Sequence, residues 1–133
     1  MLKTMTQENK ELLLKYLCMA LPYGVICQVD DGAAGFNDDK LVEIDVSEEL
    51  VRFGVEYWWQ ADIEYVKPYL RPMSSMTEEE EEEYNRLNVY EAGLFPHTEE
   101  AFNWLLEHHF DFMGLISKDL AIEITDKNNP YEN

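Results

Sequence analysis

Near the N-terminus, apolar residues recur at helical spacing. Leu13, Leu17 and Ala20 share one face, Tyr16 lies beside them, and Leu12 and Leu14 widen the stripe. Glu8, Glu11 and Lys15 fall on the opposite, wetter side, with Glu11 and Lys15 four apart as a favourable pair. The spacing predicts a helix over 6–21. Thr6 is its cap, and Pro22 is its stop, because proline disfavours helical geometry at the residue before it. Beyond Pro22 the period shortens. Residues 23–29 read as a strand, 30–39 as turn chemistry rich in Asp, Asn and Gly, and 40–46 as a strand in which Glu43 and Asp45 separate apolar positions. After a turn at Ser47-Glu48-Glu49, residues 50–59 form a β-prone run with Gly54 as a bulge, and 61–66 alternate as a short strand or one helical turn.

Pro68 and Pro72 forbid a regular helix across 67–76 and predict an extended crossover. Thr77 and Glu80 then stand at capping-box spacing, which predicts a helix over 78–87 with Tyr84 and Leu87 toward the core. Residues 88–97 read as a loop. Thr98 opens a helix over 99–109, where Phe102, Leu105, Leu106 and His109 recur at helical spacing and Trp104 broadens the apolar surface. Phe110–Ile116 reads as an apolar turn around Gly114, Leu120–Ile124 as a short strand, and 126–133 as a polar tail that frays. Strand-like and helix-like segments are segregated along the chain, so the expected fold class is α+β. One domain over 1–125 carries a small antiparallel sheet across 23–66, inclined to curl toward a barrel. The N-terminal helix and two C-terminal helices pack with it.

Composition adds exclusions. The 133 residues are 46% hydrophobic and 13% aromatic, enough apolar side chain to form a core. The net charge of −18 argues against direct binding to nucleic-acid backbones or to anionic membrane surfaces, both of which reward surplus Lys and Arg. The charge is also uneven: residues 77–100 hold nine acids and one base. No apolar run reaches the roughly 18–20 residues of a membrane span, and Met1–Glu8 lacks the pattern of a secretory signal. Cys18 and Cys27 fall in different predicted elements and read as buried free thiols, which favours a cytoplasmic setting.

Little in the chain resembles catalytic machinery. Glu107-His108-His109 with Asp111 places metal-capable groups close together, but adjacent helical residues point about 100° apart and cannot readily share an ion. One histidine is expected to pack and the other to face solvent. Asp30, Asp31, Asp38 and Asp39 lie in a loop without the alternating ligands of a calcium loop. No phosphate loop, dinucleotide fingerprint, nucleophile elbow or paired-cysteine zinc site occurs, so no catalytic residue, metal or cofactor is expected. Two features instead suggest a protein partner. Trp58 and Trp59 are adjacent in a predicted strand, so only one can enter a one-sided core, and an exposed Trp favours contact sites. Glu78, Glu79, Glu80, Glu81, Glu82 and Glu83 form a negative helix surface that could engage a basic protein, including one that handles nucleic acid.

Three stretches, taken in order, resemble a family of small uncharacterised proteins of gut Bacteroidales and their phages or prophages. They are Glu11–Cys18 continuing to Leu21–Val25, Val66–Thr77 with its Lys-Pro-Tyr-Leu-Arg-Pro-Met-Ser-Ser-Met block, and Trp104–Ile116. That family carries no established activity. The resemblance implies a mobile-element origin and an intracellular role. Residues 26–65 show no such likeness, and Met113 stands where the family pattern suggests a base. The expected function is therefore a non-enzymatic interaction protein, with a self-associating structural component of a phage particle as the alternative.

Overall fold

The computed structural model of the chain describes residues 5–30, 32, 35–54, 59–88 and 95–132. Helix α1 (Gln7–Ala20) begins where the Thr6 hydroxyl accepts the Asn9 N–H at 3.1 Å. It ends in a 3-10 turn over Leu21–Tyr23 that Gly24, at φ 71°, closes in the left-handed region. Its apolar face (Leu13, Leu14, Tyr16, Leu17, Ala20) is buried. Cys18 is exposed rather than buried, because it falls on the Glu11–Lys15 stripe that faces water. Cys27 is fully buried, and burial pushes its thiol up.

Five strands follow: β1 (Ile26–Asp30), β2 (Phe36–Asp45), β3 (Leu50–Phe53), β4 (Trp59–Asp62) and β5 (Val66–Pro72). Two departures from the sequence reading matter for function. Asn37, Asp38 and Asp39 are strand rather than turn, because they pair with Val29, Gln28 and Cys27 of β1. The run 50–59 is not one strand. Its described parts form an antiparallel pair in which Phe53 faces Trp59, and Gly54, at φ 84°, follows the end of β3 rather than forming a bulge within a strand. The bulge lies in β2, between Leu41 and Glu43.

Helices α2 (Glu78–Leu87) and α3 (Glu99–Glu107) and the two-residue strands β6 (Phe110–Asp111) and β7 (Ile122–Glu123) complete the chain. The fold is α+β. Its sheet has seven strands in the order β4-β3-β2-β1-β5-β6, with β7 also on β5, and it does not close into a barrel. The sheet is mixed rather than wholly antiparallel, since β6 and β7 both run parallel to β5. The expected crossover is thus the strand with the most partners. Its prolines are tolerated because its partners change along its length: β1 meets 66–68, β7 meets 69–70, and β6 meets 71–72. The donors and acceptors that matter are non-proline ones, Arg71 N–H to the His109 carbonyl at 2.7 Å and Ile124 N–H to the Leu70 carbonyl at 2.8 Å.

The main core joins α1 to the inner face of the sheet, where Cys27, Val29, Leu41, Val51, Phe53 and Leu70 are all buried. A smaller cluster of Tyr84, Ala101, Trp104, Leu105 and Phe110 lies between α2, α3 and β6, with Met73 and Met76 at its margin. Asp111 is buried and satisfied: its two carboxylate oxygens accept the Leu115 and Ile116 N–H groups at 2.8 and 2.9 Å, which holds the turn around Gly114. Residues 126–133 were expected to fray, yet Tyr131 docks. Its hydroxyl accepts the Ile26 N–H at 2.9 Å and donates to the Tyr69 carbonyl at 3.0 Å, and its ring stacks on His109 with centroids 3.8 Å apart.

Candidate functional site

Helix α2 is built by its first turn. The Thr77 hydroxyl accepts the Glu80 N–H at 3.1 Å, and the Glu80 carboxylate accepts the Thr77 N–H at 2.9 Å. Arg71 adds a two-pronged contact, with its Nη1 and Nη2 donating to Glu80 at 2.8 and 2.7 Å. The Arg71 guanidinium also lies 4.1 Å from the Phe110 ring centroid. With that partner, and with the cap bonds helping, the Glu80 carboxyl is held down to about 2. Glu80 is therefore committed to structure. Glu78, Glu79, Glu81, Glu82 and Glu83 are exposed, and among the described residues none of the five forms an ion pair. Glu78, Glu79 and Glu81 lie in the first turn, where the backbone dipole stabilises negative charge, and Glu82 and Glu83 follow in the second, while Tyr84 and Leu87 turn inward.

The aromatic feature is separate from this helix. Trp59 is half-buried, stacks on Phe53 at 4.7 Å, and donates its indole N–H to Asp39 at 3.1 Å. Trp58 lies outside the described residues, as do Tyr57 and Asp31. Trp59 sits on β4 at one end of the sheet order, whereas α2 packs with α3 beside β6 at the other. Four strands lie between these ends, so the fold does not bring Trp59 and the glutamates into one patch.

The histidines are both packed in part, rather than one packed and one in water. His108 lies against the Trp104 ring at 4.2 Å, with its Nδ1 2.8 Å from the Trp104 carbonyl. His109 is no longer helical: it sits at φ 61° between α3 and β6 and stacks on Tyr131. Burial, with the nearby His108 and Arg71 charges, lowers it to about 4. Among the described residues, no three His, Cys, Asp or Glu side chains gather in a group able to hold a metal.

The described aspartates of the 30–39 segment serve separate contacts. Asp30 accepts the Gly32 N–H at 2.8 Å and Asp39 meets Trp59. Asp38 accepts the Tyr69 hydroxyl at 2.8 Å, and that hydroxyl accepts an amide N–H of Gln28 at 3.0 Å. Desolvation, helped by Asp38, pushes the Tyr69 phenol up. This network lies on the outer face of the sheet, because Gln28 alternates with the inward Cys27 and Val29. On the same face opens a cleft of about 750 Å³ bounded by Gln28, Asp30 and Phe36, by Glu64, Tyr65 and Lys67, by the start of α1, and by Lys118–Leu120. Sequence reasoning missed this cleft. Phe36 looked like part of a turn, and only the β1–β2 register places it beside Asp30.

Among the described residues no helix is long and apolar enough to cross a membrane. No protein-family model, curated protein or solved structure matches the chain.

Proposed function

We propose that this protein is a non-enzymatic interaction protein of the cytoplasm that binds a basic protein through α2. A basic nucleic-acid-handling protein is one fitting partner. The observation that carries this reading is the division within the glutamate run. One carboxylate, Glu80, secures the helix to Arg71, while Glu78, Glu79, Glu81, Glu82 and Glu83 remain exposed on a rigidly capped scaffold. Such a surface attracts a cationic partner over roughly a Debye length, about 10 Å at 0.1 M salt, and speeds encounter. The chain's −18 charge reinforces the attraction. Two free thiols, Cys18 and Cys27, support a reducing compartment.

The test changes the five exposed glutamates to glutamine and leaves Glu80 intact. Capture from bacterial lysate by the wild-type chain is expected to yield a basic partner that is lost with the five-glutamine variant and at high salt. Capture unchanged by the variant, or recovery of the protein in assembled phage particles with the same yield for both forms, would overturn the reading.

A further inference from the structure

We propose that the outer-face cleft is a second, independent binding site, and that it takes a cationic organic group: a guanidinium or alkylammonium presented by a peptide. Asp30 is paired with Phe36 of β2, and Tyr65, the last residue of the 3-10 turn Ile63–Tyr65 that leads into β5, lines the same cleft. Two aromatic side chains from different elements thus share one concavity with the Asp30 carboxylate. Both walls are wet for their type: Phe36 is 67% exposed and Tyr65 40%.

The charges select the sign of the ligand. Of the three carboxylates lining the cleft, Glu64 is held by Lys10 at 3.0 Å and Asp119 by Lys67 at 2.9 Å. Asp30 spends one oxygen on the Gly32 N–H and forms no ion pair among the described residues. A carboxylate that shares a cleft with two exposed aromatic rings offers a cation both charge and aromatic surface. Lys67 is neutralised by Asp119, and Lys118, the remaining ammonium of the lining, is exposed to water. An anion would instead meet a chain of charge −18, whose long-range field repels it. The site does not depend on α2, which lies beyond β5 in the second cluster.

The test titrates the full chain with Nα-acetyl-arginine amide and follows backbone amide shifts by NMR, with the citrulline amide as a neutral isostere. Saturable shifts centred on Gln28, Asp30, Phe36 and Tyr65 are expected with the arginine compound and not with citrulline. Phe36→Ala is expected to weaken the arginine compound roughly five- to tenfold, the range of a partly exposed cation–π contact. Asp30→Asn should weaken it as well, and Phe36, being so exposed, can be truncated without loss of spectral dispersion. Equal shifts from citrulline, shifts elsewhere on the surface, or saturation by a nucleoside monophosphate in place of arginine would each overturn the assignment. The five-glutamine variant of α2 is expected to bind the arginine compound at this cleft like wild type, so failure here and failure of the α2 reading are separate results.

Discussion

Arg71 and Glu80 show how much one side-chain pair can organise. Arg71 leaves β5 and donates two bonds to Glu80 on α2, a third to the Ser75 carbonyl at 3.2 Å, and rests on Phe110 of β6. It thus ties the sheet to the second cluster. Glu80 keeps only 20% of its side-chain exposure, so the pair gains more than an open surface ion pair. The Glu80 carboxyl is about 2 when folded and 4.5 without these contacts. Since the folded value is the lower one, the stabilisation is whole above pH 4.5 and drains away as pH falls toward 2. Glu80→Gln is expected to cost about 1–2 kcal/mol at neutral pH and to flatten that acid-side loss, read from urea midpoints across the pH range. The cap half of this arrangement was legible from the Thr77–Glu80 spacing. The Arg71 half was not, because the partners stand nine positions apart across a turn and no local rule links them.

At the scale of elements, local rules succeeded where one force dominated. Helix α1 begins where Thr6 indicates, and α3 begins after Thr98, whose hydroxyl accepts the Ala101 N–H at 3.0 Å; at the other end of α1, Leu21 keeps helical geometry despite Pro22, and the turn is closed by Gly24. They failed where two forces competed. Asp38 and Asp39 favour turns as isolated residues, but pairing with β1 and side-chain bonds to Tyr69 and Trp59 hold them in a strand. The C-terminal tail is the sharpest case. Nothing in its composition marks it as ordered, yet the Tyr131 hydroxyl sits between β1 and β5, just beyond their last direct pair at Cys27 and Pro68. Tyr131→Phe retains the ring on His109 and removes the bridge, leaving the Ile26 N–H unanswered. It is expected to cost about 1–3 kcal/mol. Faster hydrogen exchange at the Ile26 amide, together with a lower urea midpoint, is the check; an unchanged exchange rate would show that the bridge does not hold the seam.

For the molecule as a whole, charge is the governing quantity. Ten bases face 28 acids, and several of those bases are drawn into ion pairs: Lys10 with Glu64, Arg52 with Glu43, Lys67 with Asp119, Arg71 with Glu80. What remains is an excess of negative charge that repels itself in the folded state. Added salt should therefore stabilise the chain. The thermal midpoint is expected to rise between low salt and about 0.5 M NaCl, since screening relieves the repulsion and exposed pairs lose little. A fall would mean that the ion pairs outweigh the repulsion.

By itself the sequence determined the α+β class, the helices and their caps, the −18 charge and its concentration in 77–100. Each of these depends on neighbours within a few residues, or on composition alone. Tertiary structure decided which glutamate is structural and which five face water, that Trp59 and α2 lie at opposite ends of the sheet, and that Phe36, Asp30 and Tyr65 line one cleft. Those outcomes follow from strand register and from long-range contacts. A one-residue slip in register turns every side chain to the other face of the sheet, and hydrophobic alternation along a single strand does not say which strand it will meet.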